Sequence, residues 1–385
     1  MDIKKNSRRI LSFGVACMLA FSFWGCGGNE NAKGSVFENS SALTMTEFSE
    51  PVSLTPYVVD WYLQAEPSVL VTEFTNYGTD RLDKGNPVSV EYAIDVPRTE
   101  IAEEKLEVSL TETFAEIEQT LYFSAKRSSV DIYNLLLDTT YYYRVSVQLE
   151  NGDVHTKSSS FKTAGRPRFI SLEGACNVRD IGGWRTENGK TIPQGLLYRG
   201  SEIDGGRNAE NADFCLTDKG IEQLRALGIK TDFDLRSEKD KVSEYSVLGK
   251  DVSRTFYNAP QYNEYLRAEN KETVRKIFSD IAKPESYPIY LHCTHGVDRA
   301  GSTVLILESL LGVSKENVIR DYELSAFYYG YKQVNRTHNN SGILALIEGI
   351  EEYEGETFAD KTAAFLKSVG VTEAEISSIR DILLQ

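Results

Sequence analysis

Hydrophobic and polar positions follow two different periods along the chain. Between residues 45 and 165 they alternate, most clearly where Tyr141, Tyr143, Val145 and Val147 fall on one face of an extended segment. A period of two residues is typical of a half-buried β-strand, and the Asn-Gly pair that follows predicts a turn into a returning strand. The pattern therefore predicts a run of β-strands over residues 45–165.

The pattern changes after the Gly-Arg-Pro sequence at residues 165–167, which marks a domain boundary. Beyond it, helical and extended segments alternate, as in an α/β layer fold. The predicted elements are a helix over 217–227, strands over 229–235 and 288–292, a helix over 299–311, and helices near 315–329, 341–353, 357–369 and 372–384. Thr372 and Glu375 have the spacing of a capping box at the start of the last helix. Residues 166–385 are thus predicted to form an α/β domain.

The first 26 residues have the layout of an export signal: four basic residues, an apolar stretch over 10–24, then Gly25 and Cys26. They resemble bacterial lipoprotein signals, in which the cysteine is lipidated and becomes the mature N-terminus. A plain secretory signal with an incidental Cys26 is the alternative. Residues 27–44 are rich in Gly, Asn and Ser and predict a flexible tether. We expect an exported protein, lipid-anchored to a bacterial membrane on the periplasmic or cell-surface side.

Charge and cysteine content narrow the possible functions. The chain of 385 residues carries a formal net charge of -15 and shows no basic run, which argues against nucleic acid as a partner. After the signal only Cys176, Cys215 and Cys293 remain, too few for a disulfide scaffold. A Cys176–Cys215 pair is possible, but the sequence does not establish it. At least one thiol stays free in any pairing, which suggests a reactive cysteine.

The candidate chemistry lies in residues 292–301, with the sequence His-Cys-Thr-His-Gly-Val-Asp-Arg-Ala-Gly. A short apolar strand leads into Cys293, and an apolar helix follows Arg299, so the loop between them lies at a helix N-terminus. Backbone amides and the helix dipole favour an anion there and favour the nucleophilic thiolate of Cys293. Arg299 can grip two phosphoryl oxygens at once, and Gly296 permits a tight turn. The loop therefore predicts a phosphate site with a cysteine nucleophile.

The Cys-x5-Arg spacing is the signature of protein tyrosine phosphatases and their dual-specificity relatives. Four further stretches, at residues 177–183, 196–201, 234–237 and 321–325, resemble the bacterial tyrosine/serine phosphatase family in content and order. The resemblance implies a phosphatase-like central sheet flanked by helices. It also implies a two-step reaction in which Cys293 forms a phosphocysteine that water then hydrolyses.

A second resemblance concerns the N-terminal strands. Leu135, Thr139, Tyr141 and Tyr143 have the spacing of the penultimate strand of a fibronectin type III domain, with Tyr141 at the tyrosine-corner position. The resemblance implies an all-β sandwich over residues 45–165. Such a module would serve as a spacer or as a surface for a partner that the sequence does not identify.

The family resemblance implies that Asp298 is the general acid. The alternative is that Asp298 caps the following helix or pairs with a neighbour, in which case Asp180 or Asp234 would be the acid. Asp234 and Arg236 end a strand at the carboxyl edge of the sheet, where ligands collect. They are candidate phosphate-binding residues, although Arg236 could equally form a buried structural ion pair.

The remaining loop residues complete the candidate site. Thr294, His295, Gly296 and Val297 are expected to surround the phosphate. His292 and His295 could suggest a metal, but their spacing places one beneath the loop and one at its mouth, so neither a metal nor another cofactor is expected. His292 is expected to hold the Cys293 loop by a hydrogen bond.

Two residues depart from the family pattern. Ala300 stands where relatives commonly have a Ser or Thr whose hydroxyl eases the second step. The alternative is that Ser302 or Thr303 supplies that hydroxyl here. Val297 stands where many relatives have a lysine associated with phosphoinositide hydrolysis. Protein phosphotyrosine, with possible dual specificity, is therefore the expected substrate. The alternatives are an inositol phosphate or phosphoinositide substrate, or a weakly active phosphate-binding module.

Overall fold

The computed structural model describes residues 34–78, 81–123, 127–206, 210–240, 243–328 and 331–384. The predicted signal peptide and Cys26 lie outside the described residues, so both export and lipidation stay predictions. None of the described helices combines the length and apolar character that crossing a bilayer requires.

Nine strands, β1 to β9, lie in the described residues before residue 165. They are Val36–Phe37, Leu43–Met45, Val52–Ser53, Val88–Ile94, Ile101–Ser109, Gln119–Tyr122, Ser129–Ile132, Thr140–Leu149 and Val154–Ala164. One sheet has the order β1-β9-β8-β5-β6, with β3 also paired to β9, and a second has the order β2-β4-β7. Side chains from both sheets meet in one apolar core.

Strand β8 follows the alternation that the sequence predicts. Tyr141, Tyr143, Val145 and Val147 are all buried in the core between the sheets. The hydroxyl of Tyr141 accepts a hydrogen bond of 3.0 Å from the backbone amide of Leu136, which is the type of contact that a tyrosine corner makes. The wider likeness to fibronectin type III domains stays a prediction.

Two sequence predictions for this region are wrong in part. A helix, α1 (Tyr57–Gln64), lies within the stretch predicted to be all β. Its β-branched and aromatic residues favour strands locally, but burial of one helix face outweighs that preference. The predicted tether also contains strand β1 and most of β2, which pair with β9 and β4.

A third sheet has the order β10-β11-β12-β15-β13-β14. Its strands are Arg168–Phe169, Arg179–Asp180, Leu197–Gly200, Thr231–Asp234, Ser253–Phe256 and Ile289–His292, named β10 to β15 in chain order. Strands β12, β15, β13 and β14 run parallel, so their carboxyl ends share one edge of the sheet. Because β15 lies between β12 and β13, Cys293 leaves the sheet near the middle of that edge.

Helices α2 to α8 accompany this sheet, and all but one of them have a counterpart among the helices that the sequence predicts. They are Asp218–Ala226, Lys271–Ile281, Asp298–Leu311, Lys315–Glu323, His338–Glu351, Phe358–Ser368 and Glu373–Leu383. Only α3 lacks a counterpart among the predicted elements. The capping box of Thr372 and Glu375 at the start of α8 is confirmed. The described part of the chain is thus a mixed α/β structure with eight α-helices.

Helix α1 begins a strap, defined here as residues 57–78 and 81–84, that leaves the β-sandwich and packs against the α/β domain. Val58, Val59 and Tyr62 are fully buried in the core of that domain. The Tyr62 hydroxyl donates a 2.5 Å hydrogen bond to the carboxylate of Glu323. The hydrophobic core of the α/β domain therefore includes residues from before the predicted boundary at residue 165.

We expect Tyr62→Ala to lower the free energy of unfolding by about 3–5 kcal/mol, the usual cost of deleting a buried aromatic side chain. The change also removes the Tyr62 hydrogen bond to Glu323. Urea denaturation of the full chain measures this loss. Tyr57→Ala is the matched control, because Tyr57 lies on the same helix and is 69% exposed. Equal effects of the two changes would contradict the inclusion of the strap in the core.

Candidate active site

The loop at residues 293–297 joins β15 to α4. The strand is fully buried, and Cys293 is 2% exposed. Helix α4 begins at Asp298 with no side chain capping its amides. Gly296 has a φ of +71°, and a Cβ there would come within 2.5 Å of the Gly200 carbonyl. Only glycine fits this turn, as the sequence predicts.

Most of the groups expected to bind phosphate lie on this loop or in the first turn of α4. The Arg299 guanidinium donates a 3.0 Å hydrogen bond to the Thr294 hydroxyl. Arg299 and His295 are partly exposed, whereas Val297 is fully buried in the core and offers the site only its backbone. Among contacts between described residues, no protein acceptor takes the backbone amides of Thr294, Gly296 or Val297. These amides are donors that an anion at the helix N-terminus could use.

The carbonyls of the same loop are held from behind. The Arg199 guanidinium donates to the Gly296 oxygen at 2.8 Å, and the Asn177 side-chain amide donates to the His295 oxygen at 3.1 Å. The backbone amide of Glu202 donates to the Thr294 oxygen at 3.0 Å. With its carbonyls held in this way, the loop can keep its amides for a ligand.

Beneath the loop lies a buried ionic cluster. Asp321 accepts hydrogen bonds from Arg179 at 3.0 Å and from Arg199 at 2.7 Å, and all three side chains are almost completely buried. Burial opposes ionisation of Asp321, but the two arginines outweigh it and lower the pKa of the carboxyl. Burial and Arg179 lower the pKa of Arg199 to about 10, so it stays charged at neutral pH.

Glu308 on α4 is also buried near this cluster. Burial, reinforced by Asp321, raises its pKa well above the usual range, which favours the protonated, neutral side chain. With Glu308 protonated, the charges of Arg179 and Arg199 are opposed by the single charge of Asp321. The excess positive charge beneath the loop would then add to the attraction for an anion.

His292 holds the loop at its first residue. One ring nitrogen lies 2.9 Å from the Asp232 carboxylate and the other 3.2 Å from the Cys293 carbonyl oxygen. Both oxygens accept, so both nitrogens donate and the ring is an imidazolium. Burial opposes this charge, but Asp234 and Asp232 outweigh it and raise the pKa of His292. The predicted hydrogen bond from His292 to the loop is confirmed.

Asp234 and Arg236, the other candidate phosphate ligands, lie in a buried ion-pair network. Both side chains are 0% exposed. The Arg236 guanidinium donates to Asp234, to Glu202 at 2.6 Å and to Asp204 at 2.9 Å. With four of its five N–H groups engaged by carboxylates and its side chain fully buried, Arg236 is poorly placed to bind a phosphate. The structure therefore favours the structural ion pair over a phosphate-binding role for these two residues.

Asp298 is placed differently from the two other candidate acids. Its side chain is partly exposed, does not cap α4, and accepts a hydrogen bond from the hydroxyl of Tyr262. Asp180 is fully buried and accepts hydrogen bonds from Arg168 and the backbone amides of Gly182 and Gly195. Of these carboxyl groups, that of Asp298 is the one at the loop with access to a ligand.

Neither Ser302 nor Thr303 replaces the Ser or Thr hydroxyl that is missing at position 300. The Ser302 hydroxyl donates to the carbonyl of Asp298 at 2.7 Å, and the Thr303 hydroxyl donates to that of Arg299 at 2.9 Å. Both hydroxyls are therefore engaged by backbone carbonyls in the preceding turn of the helix.

Cys176 and Cys215 are free thiols, so they do not form the disulfide that the sequence allowed.

Aromatic rings surround His295 at the mouth of the loop. The His295 ring centroid lies 5.0 Å from that of Phe214 and 4.8 Å from that of Tyr331. Phe214 also packs edge-on against Tyr328. One side of the site is therefore apolar and aromatic.

Comparison with known proteins agrees with this geometry. A sequence model described as "Tyrosine phosphatase family" matches residues 170–385, more than half of the chain. The chain belongs to the tyrosine phosphatase family. A tyrosine-protein phosphatase of Nostoc commune is 24% identical over 213 residues, which cover 43% of this chain and 69% of that protein. A protein of Cupriavidus necator, provisionally named a tyrosine-protein phosphatase, is 24% identical over 177 residues, covering 40% of this chain and 61% of its own length.

Sequence reasoning missed several residues that position the phosphatase loop. Arg179, Arg199 and Asp321 lie within the stretches that resemble the family, so their presence was visible but their roles were not. Tyr262 lies outside those stretches, and no signal in the sequence marked it. The contacts of these residues join positions far apart in the chain.

We expect Asp321→Asn to lower the free energy of unfolding by about 3–5 kcal/mol at neutral pH, because it leaves two buried guanidinium groups without their shared counter-charge. The pKa of Asp321 is lowered in the folded state, so its contribution is present above the unfolded pKa of about 3.9. That contribution is lost as the pH falls through the lower folded value. Denaturant titrations at several pH values should show the cost of the substitution shrinking below about pH 4.

Asp251→Asn provides the control for this change. Asp251 is 66% exposed and pairs with Arg225 on the surface, so its loss should cost at most about 1 kcal/mol. A cost for Asp321→Asn as small as that of the control would show that the buried cluster does not support the fold.

Proposed function

We propose that the chain hydrolyses phosphate monoesters through a phosphocysteine intermediate and that protein phosphotyrosine is its preferred substrate. The observation that carries the proposal is the juxtaposition of Cys293, Arg299 and Asp298 on one loop at the N-terminus of α4. Membership of the tyrosine phosphatase family supports phosphatase activity.

In the first step the Cys293 thiolate attacks phosphorus in line and the bond from phosphorus to the ester oxygen breaks. Arg299 and the loop amides hold the phosphoryl oxygens, while Asp298 gives its proton to the leaving oxygen. In the second step a water molecule attacks phosphorus, its proton passes to the Asp298 carboxylate, and the phosphorus–sulfur bond breaks. The products are an alcohol or phenol and inorganic phosphate, and Cys293 returns as the thiolate.

The walls of the site favour a phenolic phosphate over an inositol phosphate. The partly exposed rings of His295 and Tyr331, with the buried ring of Phe214 packed against His295, offer an aromatic flank that suits an aromatic leaving group. Val297 stands in the loop where a lysine could bind further phosphates, and its side chain is buried. A polyphosphorylated inositol ring would lie against an apolar flank on one side of the site. The side chain at position 297 would supply no positive charge for its further phosphates.

A weakly active phosphate-binding module is the second candidate. It is favoured by Ala300 together with the engagement of Ser302 and Thr303 by backbone carbonyls. Without a hydroxyl to assist departure of the thiolate, hydrolysis of the phosphocysteine would be slow. Rapid mixing would then show a burst of phenol release followed by slow turnover.

The two candidates and the choice of substrate are tested together with a panel of p-nitrophenyl phosphate, phosphotyrosine peptides, phosphoinositides and inositol phosphates. We expect the highest kcat/KM for phosphotyrosine peptides.

Cys293→Ser should abolish turnover of every substrate while phosphate binding remains, because a serine hydroxyl is not ionised at neutral pH. Phosphate binding is measured by isothermal titration calorimetry. The control is Cys215→Ser, which removes an exposed free thiol and should leave turnover unchanged. Steady-state hydrolysis by Cys293→Ser would contradict the mechanism.

Asp298→Asn tests whether Asp298 acts as the general acid or only holds the loop in place. The asparagine oxygen can still accept the hydrogen bond from Tyr262, but the side chain cannot donate an acidic proton. We expect kcat for phosphotyrosine to fall about 10²-fold or more, with a much smaller loss for p-nitrophenyl phosphate, whose leaving group hardly needs a proton. Equal losses for both substrates would show that Asp298 only holds the loop.

A further inference from the structure

Tyr262 lies opposite the catalytic loop in an unusual backbone conformation. It opens the short 3-10 helix Tyr262–Leu266 with a φ of +53°, a region that bulky side chains rarely adopt. Such a conformation costs about 1–3 kcal/mol and persists where surrounding contacts impose it. The contact here is a 2.8 Å hydrogen bond from the Tyr262 backbone amide to the Ser302 hydroxyl on α4.

The Ser302 contact ties Tyr262 to the helix that carries Asp298. Ser302 in turn donates to the backbone carbonyl of Asp298 at 2.7 Å. The Tyr262 side chain then turns back along the helix, and its hydroxyl donates to Oδ1 of Asp298. Both the backbone and the side chain of Tyr262 are thus hydrogen-bonded to the N-terminal end of α4.

A second tyrosine continues the hydrogen-bond chain. The hydroxyls of Tyr262 and Tyr322 lie 3.0 Å apart. Each phenol has one proton, and Tyr262 gives its proton to Asp298, so Tyr322 must donate to Tyr262. Tyr322 is itself fixed, because its ring packs so closely on Gly301 of α4 that a Cβ there would lie 2.7 Å from the ring. The direction of the chain, from Tyr322 through Tyr262 to Asp298, follows from these contacts.

Both phenols remain donors at working pH. Burial, with Tyr322 and Asp298 nearby, raises the pKa of Tyr262 above its usual value. Burial likewise raises the pKa of Tyr322. The hydrogen bond to Oδ1 therefore persists whether the Asp298 carboxyl is ionised or protonated, since either form offers an acceptor oxygen there.

We propose that Tyr262 is a positioning residue for the general acid and assigns the two oxygens of Asp298 different roles. Because Oδ1 accepts from Tyr262, the transferable proton resides on Oδ2 and is directed at the ester oxygen. After the proton leaves, the same hydrogen bond stabilises the carboxylate that must accept a proton from water in the second step. This inference rests on the proposed function, in which Asp298 is the acid.

The inference predicts a leaving-group effect for Tyr262→Phe, which keeps the ring and removes only the hydroxyl. A hydrogen bond to an ionised group contributes about 1.5–3 kcal/mol, so kcat for a phosphotyrosine peptide or phenyl phosphate should fall about 10- to 100-fold. For p-nitrophenyl phosphate the loss should be below about threefold, because proton donation contributes little to its cleavage. Tyr322→Phe, which removes the far end of the chain, should show the same pattern with a smaller loss.

A double-mutant cycle with Asp298→Asn separates positioning from a structural role. If Tyr262 acts through the acid, Tyr262→Phe causes no further loss of phosphotyrosine turnover in the Asp298→Asn background. Tyr257→Phe is the matched control, since it removes another buried phenol that donates to an aspartate, Asp280 at 3.0 Å, beside the edge strand β14. It should leave both substrates unaffected.

The outcomes distinguish the inference from the function on which it rests. A wild-type chain that hydrolyses neither ester overturns both. An active wild type in which Tyr262→Phe slows both substrates equally, or multiplies the effect of Asp298→Asn, overturns the positioning role alone. A Tyr262→Phe chain indistinguishable from wild type on phosphotyrosine overturns it as well.

Discussion

The geometry of the site depends on one constraint: a loop that offers its amides to an anion must have its carbonyls held on the opposite side. Four successive carbonyls of the loop, from Cys293 to Gly296, each meet a donor. The first donor is the neighbouring residue His292, and the other three come from distant parts of the chain: Glu202, Asn177 and Arg199 in the order of the carbonyls they contact. Unpaired buried carbonyls would cost free energy and favour a different loop conformation. The binding surface is therefore set as much by the residues behind the loop as by those on it.

The choice of buried charges behind the loop follows from the same constraint. A buried ion pair is seldom worth more to stability than an apolar cluster of the same size, so its placement needs another explanation. Arg199 supplies one donor to Asp321 and another to Gly296, which a hydrocarbon side chain could not do. The raised pKa of Glu308 favours its neutral form, which leaves positive charge in excess where a dianionic phosphate would be attracted. The cluster is better understood as a device for orientation and electrostatic potential than as a source of stability.

How far the sequence predicts this structure depends on the range of each interaction. The strand before Cys293, the loop and helix α4 are set by neighbouring residues, and their bounds are predicted almost to the residue. The role of Arg236 could not be decided, because only the fold brings Glu202 and Asp204 to its guanidinium. Tyr262 was missed for a similar reason. Its partner lies 36 residues away, and its positive φ is imposed by a contact with α4 rather than by its own side chain.

The strap shows why the composition change at residue 165 is not the edge of the catalytic core. Asp83 accepts a 2.9 Å hydrogen bond from the backbone amide of Asn177, whose side chain donates to the carbonyl of His295. A carboxylate from the strap therefore stands two hydrogen bonds from the phosphate loop. Helix α1 contributes Tyr62, whose hydroxyl donates a hydrogen bond to the carboxylate of Glu323. Glu323 directly follows Tyr322, which begins the hydrogen-bond chain to Asp298. Because one set of contacts reaches the loop through Asn177 and the other reaches the neighbour of Tyr322, displacement of the strap would disturb both, so the strap is tied physically to the candidate site.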